Sequence, residues 1–226
     1  MTKTMTEKQI AAKEVAKEKA IYNLFKKITK SKQLDNRKIL KLINLKEDGT
    51  AVATDSHRLL QVTDFHSKKE YGLLDGATGE AIEVTVDNSR YPDTTRLIPN
   101  YSESATLNVS EVYDLIKRIL EDKKDGFGKK KFRVINLKLK NGKIFVRPTF
   151  IDVFDKFKVD DYSSEVSSLS SEFETNLNPA FLLEGLLMFK QAKIKEVKLR
   201  YTDSKVRPFV LESENITYLI TPVRVV

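Results

Sequence analysis

Apolar residues recur at helical spacing in three parts of the chain. Residues 7–29 are the first predicted helix, and its apolar stripe is formed by Ile21, Leu24, Phe25 and Ile28. A second helix is predicted after Ser110, and a third runs from Asn178-Pro179 to Phe189. Ser110 and Asn178 are the predicted N-caps, because their side chains can accept from free N–H groups at a helix start.

Between the helices the apolar period changes to two, which is typical of strands. Asp48-Gly49 and Asn141-Gly142 each separate two such segments, a pattern that predicts tight hairpins. The predicted strands are 39–45, 50–54, 59–62, 71–74, 80–86, 132–140, 143–146, 173–177, 196–201, 206–211 and 217–223. Because strands outnumber helices and follow one another in hairpins, we predict an α+β fold with antiparallel sheets.

A connector at residues 91–99 divides the chain. Pro92 and Pro99 disfavour helix there, so we predict one domain at 1–99 and a second at 100–226. The second domain reads as two copies of a helix-plus-strands unit. The first domain has one such unit followed by a helix-poor segment. Chance similarity between the units remains an alternative, since a helix followed by hairpins is a common arrangement.

The amino-acid composition and net charge exclude several classes of function. The 226 residues carry 40 Lys and Arg against 32 Asp and Glu, a formal charge of +8, which favours a polyanionic partner such as DNA. The absence of cysteine excludes disulfide scaffolds and zinc-thiolate sites. No apolar run reaches the roughly 18 residues of a membrane span, and the N-terminus does not read as a signal peptide. We therefore expect a cytoplasmic protein.

Enzyme signatures are weak. His57 and His66 are the only histidines, and Ser56 and His57 are neighbours whose side chains point to opposite faces of an extended segment. The glycine-rich residues 126–131 lack the spacing of a phosphate-binding loop. We expect no enzyme, no cofactor and no metal site. A DNA-modifying enzyme with an unrecognised site remains a third hypothesis.

At residues 53–59, 91–99, 207–209 and 218–224, the chain resembles bacterial DNA sliding clamps, the beta subunits of DNA polymerase III. Residues 53–59, Ala-Thr-Asp-Ser-His-Arg-Leu, resemble the clamp segment Ala-Thr-Asp-Gly-His-Arg-Leu, with Ser56 in place of the glycine. Residues 91–99 resemble the connector into the last clamp domain, and residues 207–209 and 218–224 resemble its closing strands. A clamp chain has three domains, so the match suggests a reduced two-domain relative, such as a phage or mobile element encodes.

The resemblance implies a DNA-clamp fold, with helices on the inner face of antiparallel sheets around duplex DNA. It also implies a hydrophobic pocket that takes a short linear peptide from a polymerase or another replication protein. Carried over, the pocket residues are Thr54, His57, Arg58, Leu59, Pro92, Leu97, Leu219, Thr221, Pro222, Val223 and Arg224. The alternative is that Leu59, Leu97 and Leu219 are simply core.

Basic residues near the helices are the candidate DNA contacts. They are Lys26, Lys27, Lys30, Lys32, Gln33, Arg37, Lys38, Lys117, Arg118, Lys190 and Lys193. For each lysine, a solvated surface charge is the competing interpretation. We expect a homo-oligomer, a trimer if six domains close the ring, although three helical units per chain would give fewer helices than the family has. A clamp-fold adaptor that binds DNA or replication proteins without closing a ring is the alternative function.

Overall fold

The computed structural model describes residues 7–67, 71–82, 91–121, 134–149 and 162–224, without the side chains of residues 7–10 and Gln33. Three α-helices lie in these ranges: α1 (Glu7–Thr29), α2 (Val109–Glu121) and α3 (Pro179–Gln191). The helix predicted at residues 7–29 has these bounds in the structure. In the described part of the chain, no helix is long and apolar enough to cross a membrane.

In the part of the chain that the structure describes, thirteen strands form one sheet in which every neighbouring pair is antiparallel. Residues before the connector supply β1 (Leu42–Leu45), β2 (Ala51–Thr54), β3 (Arg58–Val62), β4 (Gly72–Asp75) and β5 (Ala81–Ile82). Residues after it supply β6 (Glu103–Asn108), β7 (Ile135–Lys140), β8 (Lys143–Pro148), β9 (Ser163–Leu169), β10 (Phe173–Leu177), β11 (Glu196–Tyr201), β12 (Phe209–Ser213) and β13 (Ile216–Ile220). The spatial order is β10-β7-β8-β9-β6-β11-β12-β13-β3-β2-β1-β4-β5.

The helices form one layer on one side of this sheet. Helix α3 contacts both α1 and α2, so it lies in the middle. The apolar faces of all three helices share one core with alternate residues of the strands, among them Phe25 of α1, Ile116 of α2 and Phe189 of α3. The prediction of an α+β fold with helices against antiparallel sheets is confirmed.

Residues 100–226, the predicted second domain, show the same order of helix and strands twice. The two copies run β6-α2-β7-β8-β9 and β10-α3-β11-β12-β13. The Asn178 side chain accepts from the N–H of Ala180, as predicted for an N-cap. The Ser110 prediction is wrong, because α2 begins at Val109 and the Asn108 side chain accepts from the N–H groups of Ser110 and Glu111. Asparagine thus holds the same place in both copies.

Strands from the two sides of the connector pair with each other. β13 pairs with β3 along its whole length, from Ile216 opposite Val62 to Ile220 opposite Arg58. We call this pairing the seam. Because β3 carries the first family-like segment and β13 the last, the fold brings together two segments that are far apart in sequence.

Several strand boundaries differ from prediction. Lys38–Lys41 is a 3-10 turn that precedes β1, and β12 begins only at Phe209. β13 ends at Ile220, and β9 was not predicted at all. Of the predicted strands, residues 83–86 and 132–133 lie outside the described residues. Between β3 and Pro92, the described residues contain β4 and β5 but no helix.

Candidate functional site

The loop between β2 and β3 is held by its own side chains. The Asp55 carboxylate accepts from the N–H groups of His57 and Arg58, each at 3.1 Å, and the Thr54 hydroxyl donates to the Arg58 carbonyl at 2.8 Å. Ser56 lies at the tip with φ of 74°, in the left-handed region that favours glycine. This is the position at which the family-like segment has serine in place of glycine.

The structure places Arg58 away from the predicted pocket. Its guanidinium is buried on the helix side, where it pairs with Asp55 at 3.0 Å and with Glu184 of α3 and lies over the Phe181 ring. Burial alone would lower the pKa of Arg58, but neighbouring Tyr218, Asp55 and Glu184 raise that pKa above its ordinary value. Arg58 therefore ties the loop to α3 and faces the helix side of the sheet, because alternate strand residues face opposite sides.

On the side of the sheet opposite the helices, which we call the open face, four residues form a small second core: Val52, Leu59, Val210 and Leu219. Leu59 and Leu219 are only 1% and 3% exposed, since Ile98 and Tyr101 of the connector region pack over them. These two leucines were predicted as pocket walls, and the structure makes them a buried base beneath the connector. Burial also raises the pKa of the Tyr101 phenol, so this cover is uncharged.

Beside this core lies an open groove of about 950 Å³. Thr54, Pro92 and Leu97, all predicted pocket residues, line it, and Leu97 is 45% exposed. The rest of what we call the groove is formed by Asp35, Asn36, Arg37, Lys38, Ile39, Leu40 and Ser56. An apolar floor with polar groups at its edge is the usual character of a ligand site.

The last predicted pocket residues lie next to the loop and outside the lining of the groove. The Thr221 N–H and hydroxyl donate to the His57 carbonyl at 2.9 and 2.8 Å, and the His57 ring stacks against Phe181. Beyond Thr221 the chain continues through Pro222 and Val223 to exposed Arg224, and the Val223 N–H donates to the Asn176 carbonyl at 2.8 Å. The last segment thus supports the loop and not the groove wall.

Sequence analysis missed five groove residues, namely Asp35, Asn36, Ile39, Leu40 and Ser56. Two more, Arg37 and Lys38, were predicted as DNA contacts. The Arg37 guanidinium donates to the Ser56 hydroxyl at 2.7 Å, and the Asp35 carboxylate is paired with Lys41 at 3.0 Å. The signal that could have found them is the basic pair directly before the apolar Ile39 and Leu40, in a segment without strand alternation.

The other candidate DNA contacts lie on the helix layer or just beside it. Lys26, Lys27 and Lys30 mark the end of α1, where the Lys27 ammonium is 3.9 Å from the Glu184 carboxylate. Exposed Lys32 follows in a short turn, and the side chain of Gln33 lies outside the described residues.

On α2, Lys117 lies 3.8 Å from Glu121, and Arg118 lies over the Tyr162 ring. On α3, Lys190 is bound to Asp114 at 3.0 Å, and exposed Lys193 follows the helix. Acidic side chains thus accompany three of the candidate basic residues, Lys27, Lys117 and Lys190. Among the described residues, no group of three or more His, Asp or Glu side chains could hold a metal ion.

Comparison with known proteins bears on this geometry. No family model matches the chain. The beta sliding clamp of Lactococcus lactis subsp. lactis (strain IL1403) is 28% identical over 236 aligned positions, which cover 84% of this chain and 58% of that protein. This chain therefore spans less than two thirds of the length of its curated relative.

Solved structures give the same fold. The sliding clamp of Bacillus subtilis matches with a TM-score of 0.63 and 21% identity, over 92% of this chain and 63% of that one. The beta subunit of the Streptococcus pyogenes DNA polymerase matches with a TM-score of 0.65 and 23% identity, over 92% of this chain and 64% of that one. The Helicobacter pylori clamp bound to a DNA ligase peptide matches with a TM-score of 0.64 and 18% identity, over 93% of this chain and 63% of that one. By sequence, this chain is similar to a bacterial beta sliding clamp, and over most of its length it has the fold of the solved clamps.

Proposed function

We propose that this protein is a sliding-clamp-like processivity factor that surrounds duplex DNA and holds a polymerase or another replication protein through the groove. The observation that carries the proposal is the seam, because it brings the first and last family-like segments together and seats the connector beside them. The sequence likeness to a beta sliding clamp supports the same function.

Sliding requires contacts that do not read bases, since base contacts fix a protein in one register. Charge attraction alone gives dissociation constants of about 10⁻⁴ to 10⁻⁶ M at physiological salt, too weak to hold a polymerase for long. The helix surface fits a weak, non-specific contact, because Lys117 and Lys190 are accompanied by Glu121 and Asp114. Encirclement would then supply the retention, and two domains per chain make a trimer the simplest six-domain ring.

Retention on circular DNA tests the encirclement. Protein loaded onto a nicked circle should remain bound at high salt and should be lost when the circle is cut to a linear form. The matched control is the same preparation on linear DNA from the start. Retention that is indifferent to cutting would contradict encirclement and would leave the adaptor as the better function, a role that the mixed charges of α2 and α3 also suit.

A substitution of Leu97 tests whether the groove binds a peptide. Leu97→Ser removes apolar contact area from an exposed groove wall, so peptide affinity should fall about tenfold while the protein stays folded. Val206→Ser is the matched control, because Val206 is a 55% exposed apolar side chain outside the groove. Peptides selected on the wild-type protein from a random library serve as ligands in fluorescence anisotropy. Equal affinity for both variants would contradict the groove as the peptide site.

A further inference from the structure

We propose that Asp114 of α2 sets the affinity of the helix layer for duplex DNA by competing with DNA phosphates for the Lys190 ammonium of α3. The inference rests on the proposed function and adds a carboxylate that limits how strongly the layer attracts the duplex. It follows from the composition of α3, from the contacts of the Lys190 ammonium, and from the exposure of both side chains.

The middle helix of the layer carries a single basic side chain. Within α3 (Pro179–Gln191), Lys190 is the one lysine and there is no arginine. The other charged residue of α3, Glu184, pairs with Arg58 and lies 3.9 Å from the Lys27 ammonium of α1. Lys190 is therefore the one cation that α3 can offer to a duplex lying on the layer.

Two groups of α2 hold the Lys190 ammonium. Its nitrogen donates to the Asp114 carboxylate at 3.0 Å and lies 4.6 Å from the centroid of the Tyr113 ring. An ammonium is a compact charge with N–H donors only, so a carboxylate and a phosphate compete for the same group. The ring is neutral, and it would keep the ammonium in place when a phosphate replaces the carboxylate.

The pair is accessible to a duplex. The Asp114 and Lys190 side chains are 64% and 36% exposed. Asp114 shares the outward side of α2 with exposed Lys117 and Arg118, which follow three and four residues later and are also candidate DNA contacts. A phosphate that approaches this surface therefore meets the Asp114 carboxylate among the cations.

Asp114 opposes the binding of DNA in two ways. Exposed ion pairs are weak, so a phosphate can displace the carboxylate, but the contact that is lost reduces the gain from the new one. The displaced carboxylate then lies beside the phosphate and repels it. The remaining attraction can centre a duplex without fixing it in one register, as sliding requires.

Binding of the whole protein to a fluorescein-labelled linear duplex tests the inference, with anisotropy measured over a series of salt concentrations. A linear duplex has free ends, so its affinity reports the surface contact and not topological retention. Asp114→Asn should bind about threefold more tightly than wild type at low salt, the size expected for one exposed charge pair. The slope of log affinity against log salt should steepen by up to about 0.9, the value for one further phosphate contact.

A double-mutant cycle shows whether Asp114 acts through Lys190. Lys190→Gln should bind DNA more weakly than wild type. Asp114→Asn added to Lys190→Gln should give a much smaller gain than in wild type, because the cation that it would release is absent. Circular dichroism checks that each variant is folded.

Glu165→Gln is the matched control. It also removes a carboxylate from an exposed lysine pair, at 3.6 Å from Lys143, but this pair joins β8 to β9. Both residues lie on the open face, because their neighbours Ile144 and Val166 belong to the core beneath the helices. Glu165→Gln changes the net charge as Asp114→Asn does, and it should leave the affinity and the salt slope unchanged.

Three outcomes would overturn the inference. Equal gains in Asp114→Asn and Glu165→Gln would show an effect of net charge alone. Wild-type affinity in Asp114→Asn, together with weaker binding by Lys190→Gln, would mean that the ion pair only ties α2 to α3, and would keep the helix layer as the DNA surface. Wild-type affinity in both variants would also contradict the DNA-facing helix layer of the proposed function.

Discussion

Arg58 is enclosed between β3 and α3, and its contacts join two parts of the molecule. The side chain is 5% exposed and reaches Asp55 in its own loop and Glu184 on the helix. Buried ion pairs add little net stability, but the loss of one partner leaves the other charge buried without compensation. For Asp55 that cost is large, because the carboxylate is fully covered.

We therefore expect Arg58→Met to lower the free energy of unfolding by about 3 to 5 kcal/mol in urea titrations at neutral pH. Arg96→Met is the control. Arg96 is exposed and lies 3.9 Å from Asp93, a loose surface pair whose loss should change stability by less than about 1 kcal/mol. A similar small effect for both variants would show that Arg58 does not hold the loop to α3.

At the same scale, the family-like segment shows what sequence could and could not predict. Thr54 and Leu59 do lie on the open face, as a strand pattern requires. Arg58 was grouped with them because the family resemblance carried the segment over as a whole, although adjacent strand residues face opposite sides. Resemblance identified the segment, and the strand alternation then divided its residues between the groove side and the helix side.

At the scale of elements, the packing of α3 on β13 depends on a glycine. A Cβ at Gly185 would come within 2.4 Å of the Tyr218 ring, which is fully buried between helix and sheet. The Tyr218 hydroxyl donates to the Phe181 carbonyl at 3.0 Å and so fixes the ring in place. The close approach of α3 to the sheet therefore requires the absence of a side chain at position 185.

Gly185→Ala should destabilise the protein by about 1 to 3 kcal/mol, because the cost of overpacking exceeds the gain in helix propensity of about 1 kcal/mol. Gln191→Ala, at an exposed position at the end of the same helix, should be close to neutral. Thermal unfolding followed by circular dichroism measures both. A stabilised Gly185→Ala variant would mean that α3 can move away from the ring at little cost.

The ends of a helix or strand could be predicted where its apolar residues form one clear face. Helix α1 has such a face in its second half, from Ala20 to Ile28, and its bounds agree with prediction. β9 has the sequence Ser-Ser-Glu-Val-Ser-Ser-Leu with Val166 as its one buried residue, so its strand state comes from pairing with β6 and β8 and not from its own pattern. Residues 38–41 form a turn with only Leu40 buried, which a short apolar run cannot reveal.

At the scale of the molecule, the continuous sheet joins what sequence divides into two domains. The seam contributes five residue pairs, and α1 packs against α3 across the same boundary. Separating the domains would expose the edges of β3 and β13 together with the buried face of α1. Neither half therefore has a core of its own that is independent of the other.

We expect a single unfolding transition, with coincident urea curves from far-ultraviolet circular dichroism and from tyrosine fluorescence. Residues 100–226 expressed alone should be less stable than the whole chain or should aggregate through the uncovered edge of β13. Two separate transitions, or a stable isolated second half, would show that the boundary at the connector is also a boundary in folding.

The seam has a further consequence for the groove. The connector carries Leu97 into the lining, and Ile98 beside it rests on Leu59 from one half of the chain and Leu219 from the other. All residues that line the groove belong to residues 1–99, but a fragment of that part alone would lack Leu219 beneath Ile98 and should capture ligand only weakly until the complementary piece reassociates with it. Ligand binding by a mixture of the two fragments would then measure whether they have associated.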